Sequence, residues 1–386
     1  MINAYTSDLE AAFKSRVRER EEDFRGPYYR DTTAIIHSSP FRRLKHKTQV
    51  FFAPSNDHIC TRIEHVLHVA SIASAICRAL SLDTELAWAI GMGHDLGHTP
   101  FGHVGERIIS RFAEDRGLEK FEHEVNSLRV VDFLSRHGEG MNLTYAVRDG
   151  IVCHNGESIK KRIRPTLKVR DLSSVHERTG LIPASYEGVV VRFSDLIAYL
   201  GRDYEDASRL GLLKGLKLPG IVTSRLGERN SQIINTLVKD LIDSFSEEDG
   251  LGFTEPVFEA VEAFSEFNYR NIYRSELLNG YTSYFTRLLT LVLEYLEDLY
   301  QKNGLDKEGY LRERNMLAAG FYSHISQMQP KYIEREGTDK RMVIDYVAGM
   351  TDNFCLDAAN EILKPDHLNE EIESSITGKW FDAGKA

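Results

Sequence analysis

The chain has 386 residues, 42% of them hydrophobic and 27% charged, with a formal net charge of −10 at pH 7. That is apolar material for one large or two moderate soluble domains, and the acidic balance excludes broad, non-specific affinity for nucleic acid. Four cysteines (Cys60, Cys77, Cys153, Cys355) without a CxxC pair exclude a disulfide scaffold and a thiolate zinc site, and without an apolar leader or an 18-residue apolar run a cytoplasmic chain with no membrane contact is expected.

Residues 1–30 interleave Arg16, Arg18, Arg20 and Arg25 with Glu10, Glu19, Glu21 and Glu22, the pattern of a solvated helix with i,i+4 ion pairs. Residues 31–52 carry Ser38-Ser39-Pro40 and then a basic helix with Arg42, Arg43, Lys45, Lys47 and Gln49. A loop with Pro54 and Asn56-Asp57 follows. Arg62 to Leu80 reads as a helix with apolar side chains at Val66, Val69, Ala73, Ile76 and Leu80. His65 shares the stripe of Val69, Ile72 and Ile76 and so points inward. A second helix, Glu85 to Asp95, carries His94 and is stopped by Gly97 and Pro100. A lone buried histidine is by default a satisfied core residue. An aspartate beside it, at the end of an apolar helix, needs a partner or a cation. One imidazole from the first helix, with an imidazole and a carboxylate from the second, makes a mixed N/O donor set suited to Mn, Fe, Mg or Zn.

Val104 to Phe112 is a further helix, with His103 and Glu106 three residues apart on one face. Such a carboxylate can orient the imidazole for proton transfer; the plainer reading is a surface contact. Phe121 to Leu134 is amphipathic, with His123, Ser127 and Val130 on one stripe, and His123 beside Glu124 is a second acid/base or supporting candidate. Leu143 to His154 reads as helix, ending in a histidine that either reaches the site or is a plain loop residue. Periodicity fails from 156 to 188, where Lys160, Lys161, Arg162, Arg164, Lys168 and Arg170 form a basic run. This is a solvated excursion or a loop facing phosphate or a second subunit. Propensity favours a strand at Val189–Val191, but Asp195, Tyr199 and Asp203 at i, i+4 and i+8 share a helical face. Helical patterns then run through 230–245, 256–301, 311–328 and 341–363, with an aromatic-rich stretch from Phe264 to Arg274.

His65, then His94-Asp95, then the distant Asp195, form an H…HD…D pattern, and HDLGHTPFGHVGE spans 94–106. With FRRLKHKTQVF at 41–51, TRIEH at 61–65, FEHEVNSLRV at 121–130, NLTYAVRDGI at 142–151 and SDLIAYLGRDYEDA at 194–207, the chain resembles the HD-domain deoxynucleoside triphosphate triphosphohydrolases, the dGTPase-like proteins. The resemblance implies an all-α fold: residues 1–60 joining the site and subunit contacts, an HD core over 61–213, and a helical region over 214–386. At most one short hairpin is expected, within 156–188.

It further implies one divalent cation per chain (Mg or Mn, with Zn, Ni, Co or Fe as other candidates) held by His65, His94, Asp95 and Asp195. Arg62 would meet phosphate, Gln49 the sugar, Tyr199 the ring face where a 2′-hydroxyl would sit, and Asp203 the 3′-hydroxyl. Tyr273 and Arg270 lie where the family closes its nucleotide pocket. His103, Glu106 and His123 are the acid/base set. Position 196 is Leu where some relatives carry a phosphate-binding Lys. The expected activity is hydrolysis of a deoxynucleoside triphosphate to deoxynucleoside and inorganic tripolyphosphate. One alternative is a two-metal phosphodiesterase or nucleotidase whose second cation binds His123 and His154. The other is a non-catalytic protein binding dNTP or single-stranded DNA at the basic run. Homo-oligomers from dimer to hexamer, with dNTP or single-stranded DNA as effector, are the implied partners.

Overall fold

Helix-forming segments outnumber everything else along the chain, and the computed structural model is correspondingly all-α. It describes residues 5–52, 56, 58–155 and 159–363, with 17 α-helices and a single two-stranded ribbon among them. Three short helices come first: α1 (Ser7–Lys14), α2 (Gly26–Ile36) and α3 (Ser39–Arg43). Between α1 and α2 the chain is not the solvated helix expected of residues 1–30. The Arg16 guanidinium is buried and bonds Asp31 (2.5 Å), Glu22 (3.0 Å) and the Asn142 carbonyl (2.8 Å), stapling the segment to the core. A fully used guanidinium fork holds this backbone better than a helix with one exposed face could.

The central helices follow as α4 (Arg62–Ala79), α5 (Thr84–Gly93), α6 (Gly102–Glu114), α7 (His123–Arg129), α8 (Tyr145–Val152) and α9 (Tyr186–Arg209). Their starts are chemically marked. Thr61 and Glu64 form a reciprocal capping box on α4, while Asp83 and Ser185 accept from backbone N–H groups at the starts of α5 and α9. α7 runs on into one π-helical turn, Val130–Leu134. The valine triplet 189–191 lies inside α9, buried on every side, so tertiary packing overrides its strand propensity.

Residues 159–185 do not form a hairpin of their own. β1 (Arg162–Ile163) pairs antiparallel with β2 (Leu251–Gly252), nearly ninety residues away, so the expected local hairpin is replaced by a long-range tie. α10 (Gly220–Arg225), α11 (Asn230–Asp243) and α12 (Glu255–Asn268) follow in the order that brackets β2. The expected helix over 256–301 is two helices: α12 passes through a π turn (Tyr269–Tyr273) and the chain restarts at Ser275 as α13 (Glu276–Asn303). α14 (Lys307–Leu311), α15 (Met316–Glu336), α16 (Met342–Ala348) and α17 (Asp352–Leu363) complete the described chain.

Two large apolar cores result, with a small third cluster of Phe51, Ile59, Ala207, Leu213 and Ile272. The first joins α4, α5, α8 and α9 to α11 and α12 through Val69, Ile90, Ile151, Val190, Leu237 and Phe264. The second packs Ile109 and Phe112 of α6 against Leu289, Phe321, Ile344 and Cys355 of the last helices. All four cysteines are buried and free.

Candidate active site

α4, α5 and α9 converge where their polar residues meet. His65 lies one turn into α4, His94 caps the end of α5, and Asp195 lies midway along α9. His65 Nε2 is 2.9 Å from Asp195 Oδ1, and His94 Nε2 is 3.9 Å from the same oxygen. Asp95 completes the quartet, with Oδ1 3.5 Å from His94 Nε2 and Oδ2 3.9 Å from His65 Nε2. All four residues are buried. His94 Nδ1 is 2.7 Å from the Gly91 carbonyl oxygen, which makes Nδ1 the donor and turns the lone pair of Nε2 into the site. That Nε2 makes no hydrogen bond although it is fully buried, and one ligand atom each from His65, His94 and Asp195 lie within 4.8 Å of one another. An orphaned buried imidazole nitrogen facing two carboxylates fits a divalent cation with N/O ligands.

The electrostatics agree with that donor set. Burial pushes His94 down to about 4, so its ring is neutral and able to coordinate. Burial would raise Asp95, but His98, His94 and Arg62 override it and hold the carboxyl well below the usual range. Arg62 Nη1 donates to Asp95 Oδ2 at 2.7 Å, while its Nε and Nη2 are buried without a hydrogen-bond partner among the described residues. Such donors suit an incoming anion.

The quartet opens into a cavity of about 590 Å³, a volume typical of small-molecule sites. Its lining includes Gln49, Arg62, His103, Glu106, His123, Tyr199, Asp203 and Tyr273. Glu106 Oε2 lies 3.3 Å from His103 Nδ1 and 3.1 Å from His123 Nδ1, so one carboxylate holds both rings. His123 is buried, whereas the His103 side chain is 46% exposed. At the other end the Tyr273 hydroxyl donates to Asp203 Oδ2 at 2.5 Å, and burial outweighs that bond to push Asp203 up to about 7.

Two further histidines are here: His98, to which the sequence assigns no role, and His154, which it offers only to a second cation or to a plain loop. His98 Nε2 is 3.1 Å from Asp95 Oδ1, and its ring stacks on His123 at 3.8 Å. The signal was its place three residues after Asp95. His154 is not a plain loop residue: it is buried, with Nε2 3.3 Å from His123 Nε2 and 4.0 Å from Asp95 Oδ1. Its Nδ1 meets the Ile151 carbonyl at 2.6 Å, repeating the i−3 arrangement of His94. Arg270, by contrast, pairs with Glu266 on the surface and does not line the cavity. None of Lys160, Lys161, Arg162, Arg164, Lys168 and Arg170 lines it either. Lys161 pairs with Glu255, Arg162 donates to the Ser244 and Gly250 carbonyls, and Arg170 lies 3.0 Å from the buried Asp149. Three of the six are thus tethers, Lys160, Arg164 and Lys168 are exposed as in a solvated excursion, and none faces the described cavity, which corrects the phosphate-facing reading. Leu196 points into the first core and has no route to a phosphate.

An HD domain matches residues 62–206, and a phosphohydrolase-associated domain matches residues 251–361. A deoxyguanosinetriphosphate triphosphohydrolase-like protein of Desulfatibacillum aliphaticivorans is 35% identical over 91% of this chain and 92% of its own length. One of Caldanaerobacter subterraneus subsp. tengcongensis is 36% identical over 93% and 92%. The chain belongs to this triphosphohydrolase-like family of HD-domain proteins. In HD phosphohydrolase terms, the first core draws on most of the matched HD domain together with α1–α3, α11 and α12, while α6 of the HD domain packs in the second core against α13–α17 of the associated domain. A hypothetical protein from Aquifex aeolicus of known structure is 21% identical, with a TM-score of 0.39 over 81% of this chain and 70% of that one. No helix among the described residues is long and apolar enough to cross a membrane.

Proposed function

We propose that this phosphohydrolase cleaves deoxynucleoside triphosphates to the deoxynucleoside and inorganic tripolyphosphate. The observation that carries the reading is the cavity itself. An end lined by Tyr199, Asp203 and Tyr273 adjoins an HD quartet, which adjoins a carboxylate holding two imidazoles. The relatives' names point to the same substrate class. His65, His94, Asp95 and Asp195 would hold a divalent cation such as Mg²⁺ or Mn²⁺. When bound, it supplies Lewis-acid stabilisation of charge on phosphate.

The chain's own residues do the rest. Arg62 neutralises phosphate charge with the guanidinium donors that Asp95 leaves over. Water oxygen bonds to the α-phosphorus as the bond from phosphorus to the 5′-oxygen breaks. The leaving oxygen takes the electron pair and a proton, and the attacking water gives up a proton to bulk water. His103, at the open side of the cavity, delivers the proton to the 5′-oxygen. Glu106 stabilises the charged ring, and His123, wedged against His98, fixes Glu106. Tyr199 occupies the space of a 2′-hydroxyl, and Asp203 accepts from the 3′-hydroxyl. Incubation with each of the four dNTPs and with GTP, in Mg²⁺ or Mn²⁺, followed by chromatography, tests this. Tripolyphosphate from dNTPs, with at least about tenfold preference over GTP, is expected. Release of pyrophosphate or orthophosphate instead would overturn the reaction assigned, and equal use of GTP the sugar argument.

A two-cation reading draws on a separate observation. One ligand atom each from Asp95, His123 and His154, and one each from His98, Glu106 and His123, also lie within 4.8 Å. Two cations per chain by elemental analysis would favour it over the single-cation mechanism.

A further inference from the structure

Lys47 and Asp352 are each only 3% exposed, and neither touches the cavity that the proposed chemistry uses. They come from opposite ends of the chain: Lys47 follows α3, and Asp352 is the first residue of α17. The Lys47 ammonium donates to the His98 carbonyl and, at 2.9 Å, to the Ala348 carbonyl at the end of α16. Asp352 reaches the other way. Its Oδ2 accepts from the Thr48 amide (2.9 Å) and hydroxyl (2.5 Å), and its Oδ1 accepts from the Phe101 amide (2.9 Å). The Lys47 carbonyl in turn accepts from the Arg62 amide at 3.2 Å. Phe101 sits in the left-handed region at φ 60°, which that amide bond helps to hold.

We infer that Lys47 and Asp352 are positioning residues through which the associated region sets the geometry of the catalytic loops. The segments they fix are those that carry the site. Gln49 follows Lys47 by two positions, Arg62 is bonded to the Lys47 carbonyl, His98 offers its own carbonyl, and His103 follows Phe101 by two. A buried ammonium and a buried carboxylate are costly unless every contact is made. Here the Lys47–Ala348 contact and all three contacts of Asp352 join the last two helices to segments beside the quartet, and the Lys47–His98 contact ties two of those segments together. Plain packing between the two regions would need no charge at all. Displacing His103 or Arg62 by about an ångström would cost roughly a hundredfold in rate while leaving the His65–His94–Asp195 grouping intact.

Three variants of the full-length protein test this: Lys47→Met, Asp352→Asn and, as control, Asp345→Asn. The control lies in the same region, paired with Arg129 away from the cavity. Thermal midpoint, Mn²⁺ content, kcat and KM on a dNTP, and amide exchange over residues 98–103 are measured for each. Lys47→Met and Asp352→Asn should lower kcat roughly ten- to hundredfold with Mn²⁺ retained and with faster exchange at Phe101. Asp345→Asn should lose thermal stability with kcat within about twofold and exchange at 98–103 unchanged. Normal kcat and normal exchange in the first two variants, whatever their midpoints, would overturn the inference. If Lys47→Met does not fold, Asp352→Asn decides alone. The exchange readout needs no turnover, so it stands even if dNTPs prove not to be the substrate, and a failure of the substrate assignment is recognised separately in the wild type.

Discussion

At the scale of the residue, the centre is a set of side chains whose backbones fix their ring orientation. His94 and His154 are each turned by a carbonyl three residues back, so their Nε2 atoms face the same space. Asp95→Ala or His65→Ala should therefore remove bound Mn²⁺ and turnover together while the helical circular dichroism stays. A variant that keeps both would sink the quartet. His103→Ala should lower kcat by about 10²–10⁴ with Mn²⁺ content and KM nearly unchanged, and His123→Ala should cost less. If the order is reversed, His123 is the proton donor; if His103→Ala loses the cation, it is a ligand. Most of this centre could be read from the sequence because its members come in fixed spacing: His94 beside Asp95, His103 three before Glu106. His154 enters the sequence reading only as a ligand of the alternative second cation, since nothing in its neighbourhood says that α8 ends facing α5. Its role depends on how two distant helices cross.

At the scale of the element, α9 carries Asp195, Tyr199 and Asp203 on one face, and Leu196 faces away from them into the core. Replacing that leucine by lysine should not add a phosphate contact. Leu196→Lys would bury an ammonium among apolar side chains, so we expect a drop in thermal midpoint of several degrees with no fall in KM. Improved KM at unchanged stability would show the helix turning to present it. The approach of α7 to the end of α5 is set by Gly97. A Cβ there would stand 2.1 Å from the Ser127 amide nitrogen and 2.5 Å from the His123 carbonyl oxygen, and this closeness lets the Gly97 amide donate to Ser127 Oγ at 2.8 Å. In the sequence Gly97 reads only as a helix stop, because a close approach needs both partners to be visible. The same reason hid β1–β2: the period-two signal of two residues is nil, and the ribbon exists through pairing across the fold.

At the scale of the whole molecule, the associated region is held by ionic contacts as well as by its apolar core. Arg129 donates to Asp345 Oδ2 from Nε (2.9 Å) and Nη2 (2.7 Å) and also pairs with Glu336, and the Tyr332 hydroxyl donates to the same Asp345 oxygen at 2.7 Å. Burial would raise the Asp345 carboxyl, but Arg129 and Arg341 hold it below its ordinary value. A depressed carboxyl stabilises the fold above its unfolded-state pKa and loses that contribution as pH falls through the folded value. Asp345→Asn should thus cost about 3 kcal/mol near neutral pH. The gap in thermal midpoint from wild type should stay flat from pH 7 down to about 4 and narrow only as pH falls below the ordinary aspartate range. A gap independent of pH would mean the cost is steric.

The four buried thiols bear on how the protein can be studied. Burial pushes Cys60 up to about 12 and raises Cys77, Cys153 and Cys355 as well, so little thiolate forms at working pH. A water-soluble disulfide reagent should find no reactive sulfur in the native chain and four after denaturation; rapid release from the folded protein would show that one of these positions opens. If the native chain is silent, a cysteine introduced at Tyr284 on α13, beside the cavity wall, would carry a fluorophore alone. The wild-type chain would then serve as its own unlabelled background for watching the cavity fill.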